Sequence, residues 1–338
     1  MLFKNVSIAG LAHIDAPHII SSSYIEEQLK PVMEKLNLKP NIIQALTGIK
    51  ERRFWDEGVK PSDSATQAAV KALEDANLDR NKIGIIISTS VCKDYIEPSV
   101  ACIVHGNLKL SPTCINFDLG NACIAFINAM EVVGGMIDSG QLEYGLIVDG
   151  EGSRFAVEST IKKLLGDNID EQTFRDNFAT LTLGSGAAAM VLCRSDLAPD
   201  GHKLIGSVSL AATEHNQLCL GQRDGMKTNA SKLLVSGIEL VSKAYQKAKD
   251  ELSWNEKQID HLILHQVSAN HTAKLSEALK LDKEKIFVTY PNFGNIGPAA
   301  VPITLSKSVE AERIQKGDRV ALMGIGSGIN CSMMEIIW

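Results

Sequence analysis

The sequence predicts a layered α/β fold built twice over. Three observations predict it. Strand-like and helix-like segments alternate along the whole chain, the two halves repeat one order of segments, and 338 residues at 45% apolar content suffice for a large core. Each half opens with a strand, runs helix–strand–helix–strand–helix, and closes on two strands. Residue identities barely repeat, so the pattern is duplicated and not the sequence.

The first half begins with VSIAGLA (6–12), then the isoleucine run IGIIISTS (83–90). TCINFDL (113–119) alternates Ile115, Phe117 and Leu119 against Asn116 and Asp118, a period-2 signature. YGLIVDG (144–150) and GAAAMVLC (186–193) are short apolar runs, the form of strands in a layered sheet. Helical segments lie between them at 63–77, 99–109 and 123–139. In the second half LIGSVSLAAT (204–213), HLILHQV (261–267), KIFVTY (285–290), RVALMGIG (319–326) and CSMMEII (331–337) read as strands. Helices are predicted at 232–252, 269–280 and 299–312. Proline, glycine and charge cluster in RSDLAPDGHK (194–203) as in a linker, which divides the chain into units 1–198 and 199–338. The charged, weakly periodic stretch 151–182 reads as an insertion in the first unit.

A formal net charge of −6, with both signs mixed, carries no nucleic-acid footprint. The amino terminus, MLFKNVSIAGLAHIDAPH, is too weakly apolar for a secretory signal, and no apolar run approaches the ~18 residues of a transmembrane segment. Seven cysteines form no CxxC pair and have no histidine at zinc-ligand spacing, so no metal and no cofactor are expected. A reducing, cytoplasmic compartment fits best. Cys92, Cys102, Cys114, Cys193, Cys219 and Cys331 read as packing.

Cys123 differs. In LGNACIAFINAM (119–130) it follows a strand and Gly120, and Asn121 can cap the helix that carries Phe126, Ile127, Met130, Val133 and Ile137. The positive end of that helix would stabilise a thiolate, and a sharp strand-to-helix turn can lift a nucleophile. Small thiols also pack well at crowded helix starts, so locally both readings stand. His265 in LILHQVSANH (262–271) and Asn295 in FGNIGPAA (293–300) sit at two further strand-to-helix junctions. All three fall at carboxyl ends of strands, where open sheets bind ligands. The order Cys–His–Asn also describes papain-like proteases, but the flanking Cys-Gly-Ser-Cys-Trp context is absent.

These motifs resemble the thiolase-superfamily condensing enzymes of the ketoacyl-ACP synthase III type. Cys123 in GNACIAF, His265 in HQVSANH, Asn295 in FGNIGPA and the tail GIGSGINCSMMEI (324–336) carry the resemblance, with GIKERRFW (48–55) and LGSGAAAM (183–190) in matching order. It covers essentially the whole chain. It implies a duplicated thiolase-like fold, layered α-β-α-β-α with two mixed five-stranded sheets, in a homodimer. It further implies that Cys123 accepts an acyl group, that His265 and Asn295 hydrogen-bond the second substrate's thioester oxygen, and that backbone N–H groups of Cys123 and Ser327 form an oxyanion hole. The tail departs from the usual Gly-Gly-Gly, with Gly326-Ser327-Gly328 in its place.

A second departure refines the resemblance. In STSVCKDYIEPSVA (88–101) Glu97 stands where the family usually places an apolar residue, on a loop that reaches into the neighbouring protomer's site. Decarboxylating synthases need no base there. An enzyme condensing two plain acyl thioesters does, and a carboxylate in an apolar pocket gains basicity. The chain therefore most resembles the OleA-type branch. That branch condenses two long-chain acyl-CoA molecules without decarboxylation to a 2-alkyl-3-keto acid, feeding further enzymes of long-chain olefin biosynthesis. Lys50, Arg52, Arg53 and Trp55 offer charge and an aromatic platform for coenzyme A, or equally a solvated turn with structural ion pairs. A decarboxylating synthase III, a thioesterase or acyl transferase, and an inactive scaffold stay open at this point.

Overall fold

The computed structural model describes residues 1–255 and 257–338. The first half runs β1 (Val6–Asp15), β2 (His18–Ser21), α1 (Ser22–Gln28), α2 (Lys30–Lys35), α3 (Ile42–Thr47), β3 (Glu51–Phe54), α4 (Pro61–Asp75) and β4 (Ile85–Ser88). It continues through α5 (Val100–Leu108), β5 (Ile115–Asp118), α6 (Ala125–Asp138), β6 (Tyr144–Glu151), α7 (Arg154–Leu164), α8 (Glu171–Asn177) and β7 (Gly186–Arg194). The second half holds β8 (His202–Ala211), β9 (Cys219–Gln222), β10 (Gly225–Thr228), α9 (Ala230–Glu251), β11 (His261–Leu264) and α10 (Ala269–Leu279). It closes with α11 (Tyr290–Phe293), α12 (Ala300–Glu310), β12 (Arg319–Gly326) and β13 (Asn330–Ile337).

Five helical and sheet layers follow from which side chains meet. Along β4, β6 and β7 alternate residues face opposite ways. Ile85, Ile87, Ile147, Met190 and Leu192 pack inward with α6 and α12, while Ile86, Leu146, Val148, Ala189 and Val191 pack outward with α4 and α5. The second half repeats the scheme. Val320, Leu322, Met334 and Ile336 share the α6/α12 core, and Ala321, Met323, Cys331 and Met333 face α9 and α10. Helices α6 and α12 thus form a middle layer between the two strand groups. Burial on both faces explains why β6 and β7 read as unbroken apolar runs.

The strand count differs from expectation. Among the described residues nine of the strands form one sheet, ordered β11-β12-β13-β8-β1-β7-β6-β4-β5, because Ser7 and Ile8 of β1 pair with Lys203 and His202 of β8, and β2/β3 and β9/β10 form separate pairs. The second half supplies four strands of the large sheet. KIFVTY (285–290) is no strand, and only Ile286 bridges to Leu262. Its backbone groups go to a side chain instead: Gln266 Nε2 donates to Phe287 O (2.7 Å), and Gln266 Oε1 accepts from Thr289 N (2.7 Å) and Tyr290 N (3.0 Å).

The stretch 151–182 closes β6, then forms α7, α8 and a 3-10 turn at 178–182, and its helices share a core with the chain's first helices. Val157, Ile161, Leu164, Phe174 and Leu181 pack against Ile25, Leu29, Val32, Met33 and Ile43. Among the described residues no helix is long and apolar enough to cross a membrane, and no group of three or more potential metal ligands occurs.

Candidate active site

Cys123 lies in a 3-10 turn, residues 122–124, directly ahead of α6. The elbow is sharp. Ala122 has φ +46°, a left-handed conformation that costs a non-glycine residue ~1–2 kcal/mol and that the surrounding packing imposes. Asn121 does not cap the helix as expected; its side chain bonds sideways to Asn128 Oδ1 (2.8 Å) and accepts from Asn330 Nδ2 (3.1 Å). The turn packs against β12 and against the 297–299 turn. At Gly326 a side chain would crowd the backbone, since a Cβ would lie 3.1 Å from Asn121 O and 3.2 Å from Cys123 N. That glycine lets the 326–328 turn, with Ser327, approach the Cys123 amide.

The expected thiolate is not the resting state. Burial pushes the Cys123 thiol up to about 12, and Cys219, Glu151 and Asp149 add to the push. Desolvation therefore outweighs the helix terminus, because the thiol sits ahead of α6 among acidic and apolar neighbours. The thiol waits protonated and must lose its proton as substrate arrives.

His265 ends the β11 segment, one adjacent strand away: its backbone N–H donates to Met323 O of β12 (2.7 Å). The ring is buried, and burial together with neighbouring His271 pulls it down to about 3. It is neutral across the physiological range. Nδ1 is buried without any acceptor, so the ring's one proton belongs on Nε2. A neutral imidazole donating from Nε2 suits a thioester oxygen that gains charge.

Asn295 is held by backbone pairing to the 182–184 segment: its N–H donates to Thr182 O (2.9 Å) and its carbonyl accepts from Gly184 N (2.9 Å). Its Oδ1 accepts from Gly297 N (3.0 Å), which leaves the side-chain N–H₂ as the donor end. The 297–299 turn that follows touches the Cys123 turn. The fold thus brings Cys123, Asn295 and Ser327 around one centre, with His265 on the strand beside β12.

Glu97 is set apart. It stands exposed with Tyr95, Ile96 and Pro98 at the tip of the 91–99 loop, where Ile96 is 100% exposed. Among the described residues it has no hydrogen-bond or ion-pair partner.

The basic cluster corrects the sequence reading. Arg52 is wholly buried, donating to Ile20 O, Ser22 Oγ and Leu181 O at 3.0–3.3 Å. Trp55 is also interior, with its indole N–H on Glu151 O (2.8 Å). Arg53 lies over the Phe293 ring and reaches Ala16 O. Strand pairing of β2 with β3 turns Arg52 into the core, so Arg52 and Trp55 tie the fold together and are not open to coenzyme A, while Lys50 stays exposed and Arg53 half-buried.

The sequence reading missed a buried acidic pair. Asp149 and Glu151 end β6, every residue of which is buried. The signal was present: two acids in an apolar run with no polar face to carry them, a situation that demands partners. Thr89 Oγ1 donates to Asp149 Oδ2 (2.5 Å), and Val91 N and Cys92 N donate to Glu151 Oε1 and Oε2 (2.6 and 3.3 Å). Burial raises both carboxyls, Asp149 well above the usual range and Glu151 to about 7.

Comparison with known proteins places this geometry. Residues 250–338 match the family described as 3-oxoacyl-(acyl-carrier-protein) synthase III, C terminal. Over 338 residues, and over 100% of both chains, the sequence is 49% identical to the acyl-CoA:acyl-CoA alkyltransferase of Xanthomonas campestris pv. campestris. The chain belongs to the acyl-CoA:acyl-CoA alkyltransferase family, within the thiolase superfamily. The family's Shewanella oneidensis member is 35% identical, again over 100% of both chains. The β-ketoacyl-(acyl-carrier-protein) synthase III of Clostridioides difficile is 28% identical over 88% of this chain and 89% of that one. Structures of the family's X. campestris OleA superpose with a TM-score of 0.98. They include a cerulenin-bound form (49% identity; 100% of this chain, 98% of that one) and a cysteine-to-serine variant with bound lauric acid and lauroyl-CoA (100% of both).

Proposed function

We propose that this alkyltransferase joins two fatty acyl-CoA molecules head to head by a non-decarboxylative Claisen condensation. The observation that carries the reading is the carboxylate of Glu97, presented on a projecting loop of a chain whose Cys–His–Asn set is otherwise synthase-like. Structures of the X. campestris enzyme include variants at a glutamate, a cysteine and a histidine spaced by 26 and 142 residues, and Glu97, Cys123 and His265 keep both intervals. Full-length identity of 49% to an alkyltransferase, against 28% to decarboxylating synthases, supports the same choice.

In the first half-reaction Cys123 Sγ attacks the acyl-CoA carbonyl, the C–S bond to coenzyme A breaks, and the thiol proton leaves with coenzyme A. The Cys123 and Ser327 amides stabilise the oxyanion. In the second, Glu97 takes an α-proton from a second acyl-CoA whose thioester oxygen is held by His265 Nε2–H and the Asn295 amide. The carbanion attacks the acyl-cysteine, Cys123 leaves as thiolate and recovers a proton, and water hydrolyses the remaining thioester to give a 2-alkyl-3-keto acid. Such a keto acid loses CO₂ readily, so an enzyme that reduces it promptly is the natural downstream partner.

The chain works as a homodimer in this reading. Edge strand β5 carries Ile115 and Phe117 exposed (49% and 39%), beside the loop tip with Ile96, an apolar margin suited to strand pairing with a second copy. A cytoplasmic location accords with seven unpaired cysteines.

The deciding experiment incubates the protein with a long-chain acyl-CoA alone and applies mass spectrometry to protein and products. An acyl adduct on Cys123 with a keto acid or ketone of doubled chain length is the expected result. Free fatty acid alone, with condensation only on adding a malonyl thioester, would return the protein to the decarboxylating synthases.

A further inference from the structure

Several buried titratable groups take no step in the mechanism, Glu151 among them. Glu151 is 5% exposed, and its carboxylate sits between two functional elements. On one side it receives Val91 N–H and Cys92 N–H, the first amides of the loop that carries Glu97. On the other it borders the Asn295 turn, since a Cβ at Gly297 would meet Glu151 Cδ at 3.6 Å.

The contact at Glu151 belongs to a larger fastening. Thr89 N donates to Val148 O (2.9 Å), Thr89 Oγ1 to Asp149 Oδ2 (2.5 Å), and Gly150 N to Ser90 Oγ (2.9 Å), so residues 89–92 are bonded step by step to the end of β6. Farther along, Asp94 accepts from Ser62 N (3.0 Å) and Ser62 Oγ (2.5 Å). At the far end Asp118 caps α5 through Val100 N and Ala101 N and takes Lys93 Nζ at 2.8 Å. Tyr95 Oη accepts from Lys60 Nζ (2.8 Å), and among the described residues only Ile96–Pro98 at the tip stand free. A loop held this firmly at both roots, yet bare at its tip, is built to deliver that tip elsewhere in a fixed pose.

We propose that Glu151 is a positioning residue for the condensation step in the neighbouring protomer: by holding the Val91 and Cys92 amides it fixes the loop that places Glu97 in the other subunit's site. A buried carboxylate accepting two backbone N–H groups makes charge-assisted bonds about twice as strong as neutral ones. A glutamine could accept only one of the two, and a misplacement near 1 Å at the base can cost ~10²-fold in rate. The inference rests on the dimeric reading above.

The test reads the two half-reactions separately and then in hybrid dimers. In Glu151→Gln alone, Cys123 acylation by a long-chain acyl-CoA does not fall, since losing the acid only eases deprotonation of the thiol, while condensation falls at least about tenfold. An equal fall in both, or no fall, overturns the proposal. Differently tagged chains carrying Glu151→Gln and Cys123→Ala are then co-expressed and the hybrid is purified. Its one intact cysteine belongs to the Glu151→Gln chain and receives its loop from the other chain, so about half of wild-type dimer activity returns. A dead hybrid would mean that Glu151 serves its own cysteine. The control pairs Glu97→Ala with Cys123→Ala. If that control is dead while the Glu151 hybrid's chains are folded and dimeric, the crossing loop itself fails and takes the proposal with it. Should Glu151→Gln not fold, Glu151→Asp, which keeps the charge on a shorter arm, is read in the same hybrids.

Discussion

Asn330 donates its side-chain amide to Asn121 Oδ1 at 3.1 Å, tying the strand after Ser327 to the turn before Cys123. The two amides proposed to stabilise the acyl oxyanion, those of Cys123 and Ser327, come from different halves of the fold, and this bond links their segments across 209 residues. Asn128 braces it from below, donating to Ser332 Oγ (2.8 Å) and Glu131 Oε2 (2.9 Å).

Asn330→Ala should therefore slow both half-reactions, by about 10- to 100-fold, because in the proposed mechanism each forms its own tetrahedral oxyanion in that one hole. Rapid-quench measurement of acyl-Cys123 formation checks it. A loss confined to condensation would show that the Asn pair does not govern the hole.

The protonated thiol gives a second expectation. With Cys123 pushed up to about 12, only about 10⁻⁴ of it is thiolate at pH 8. Alkylation by iodoacetamide, read on the Cys123 peptide, should be slow and rise about tenfold per pH unit without a plateau below pH 11. A plateau near pH 8 would mark a pre-formed thiolate.

Two buried neutral imidazoles make the fold acid-sensitive. His265 is lowered to about 3 and His271 to about 4 by burial, so between those values and about 6.5 the unfolded chain binds more protons than the folded one. Stability is then fully present above pH 6.5 and is lost as pH falls toward 4. His271→Leu should remove about one proton from this dependence, roughly 1.4 kcal/mol per pH unit. Urea midpoints between pH 7 and 4.5 measure the slope; an unchanged slope would rule His271 out as a contributor.

Arg52 should matter to folding and not to substrate affinity. Its guanidinium is lowered to about 10 by burial and satisfies three interior oxygens. Arg52→Met leaves those acceptors bare and should cost about 3 kcal/mol by denaturation, with the acyl-CoA KM of the folded fraction unchanged. A raised KM at full stability would restore the coenzyme-binding reading.

Strands in the interior were legible because burial on both faces leaves unbroken apolar runs such as GAAAMVLC, and α4, α6 and α9 were legible by their helical spacing. The short helices α1–α3 and the pairs β2/β3 and β9/β10 were not. Each is too brief to declare a period, and α1–α3 are stabilised by burial against α7 and α8 far along the chain. KIFVTY misled for the converse reason: its composition is strand-like, but the Gln266 side chain takes the backbone groups a ladder needs.

By itself the sequence determined the doubled α/β order and singled out Cys123, His265 and Asn295 as candidates, since each is marked by its own strand-to-helix junction. Tertiary structure decided what those residues are. Burial sets Cys123 as a thiol and His265 as a neutral donor, turns Arg52 and Trp55 inward, and lodges Glu151 beneath the loop of Glu97. Charge state and partnership depend on desolvation and on distances between segments remote in sequence, and neither exists until the chain has folded.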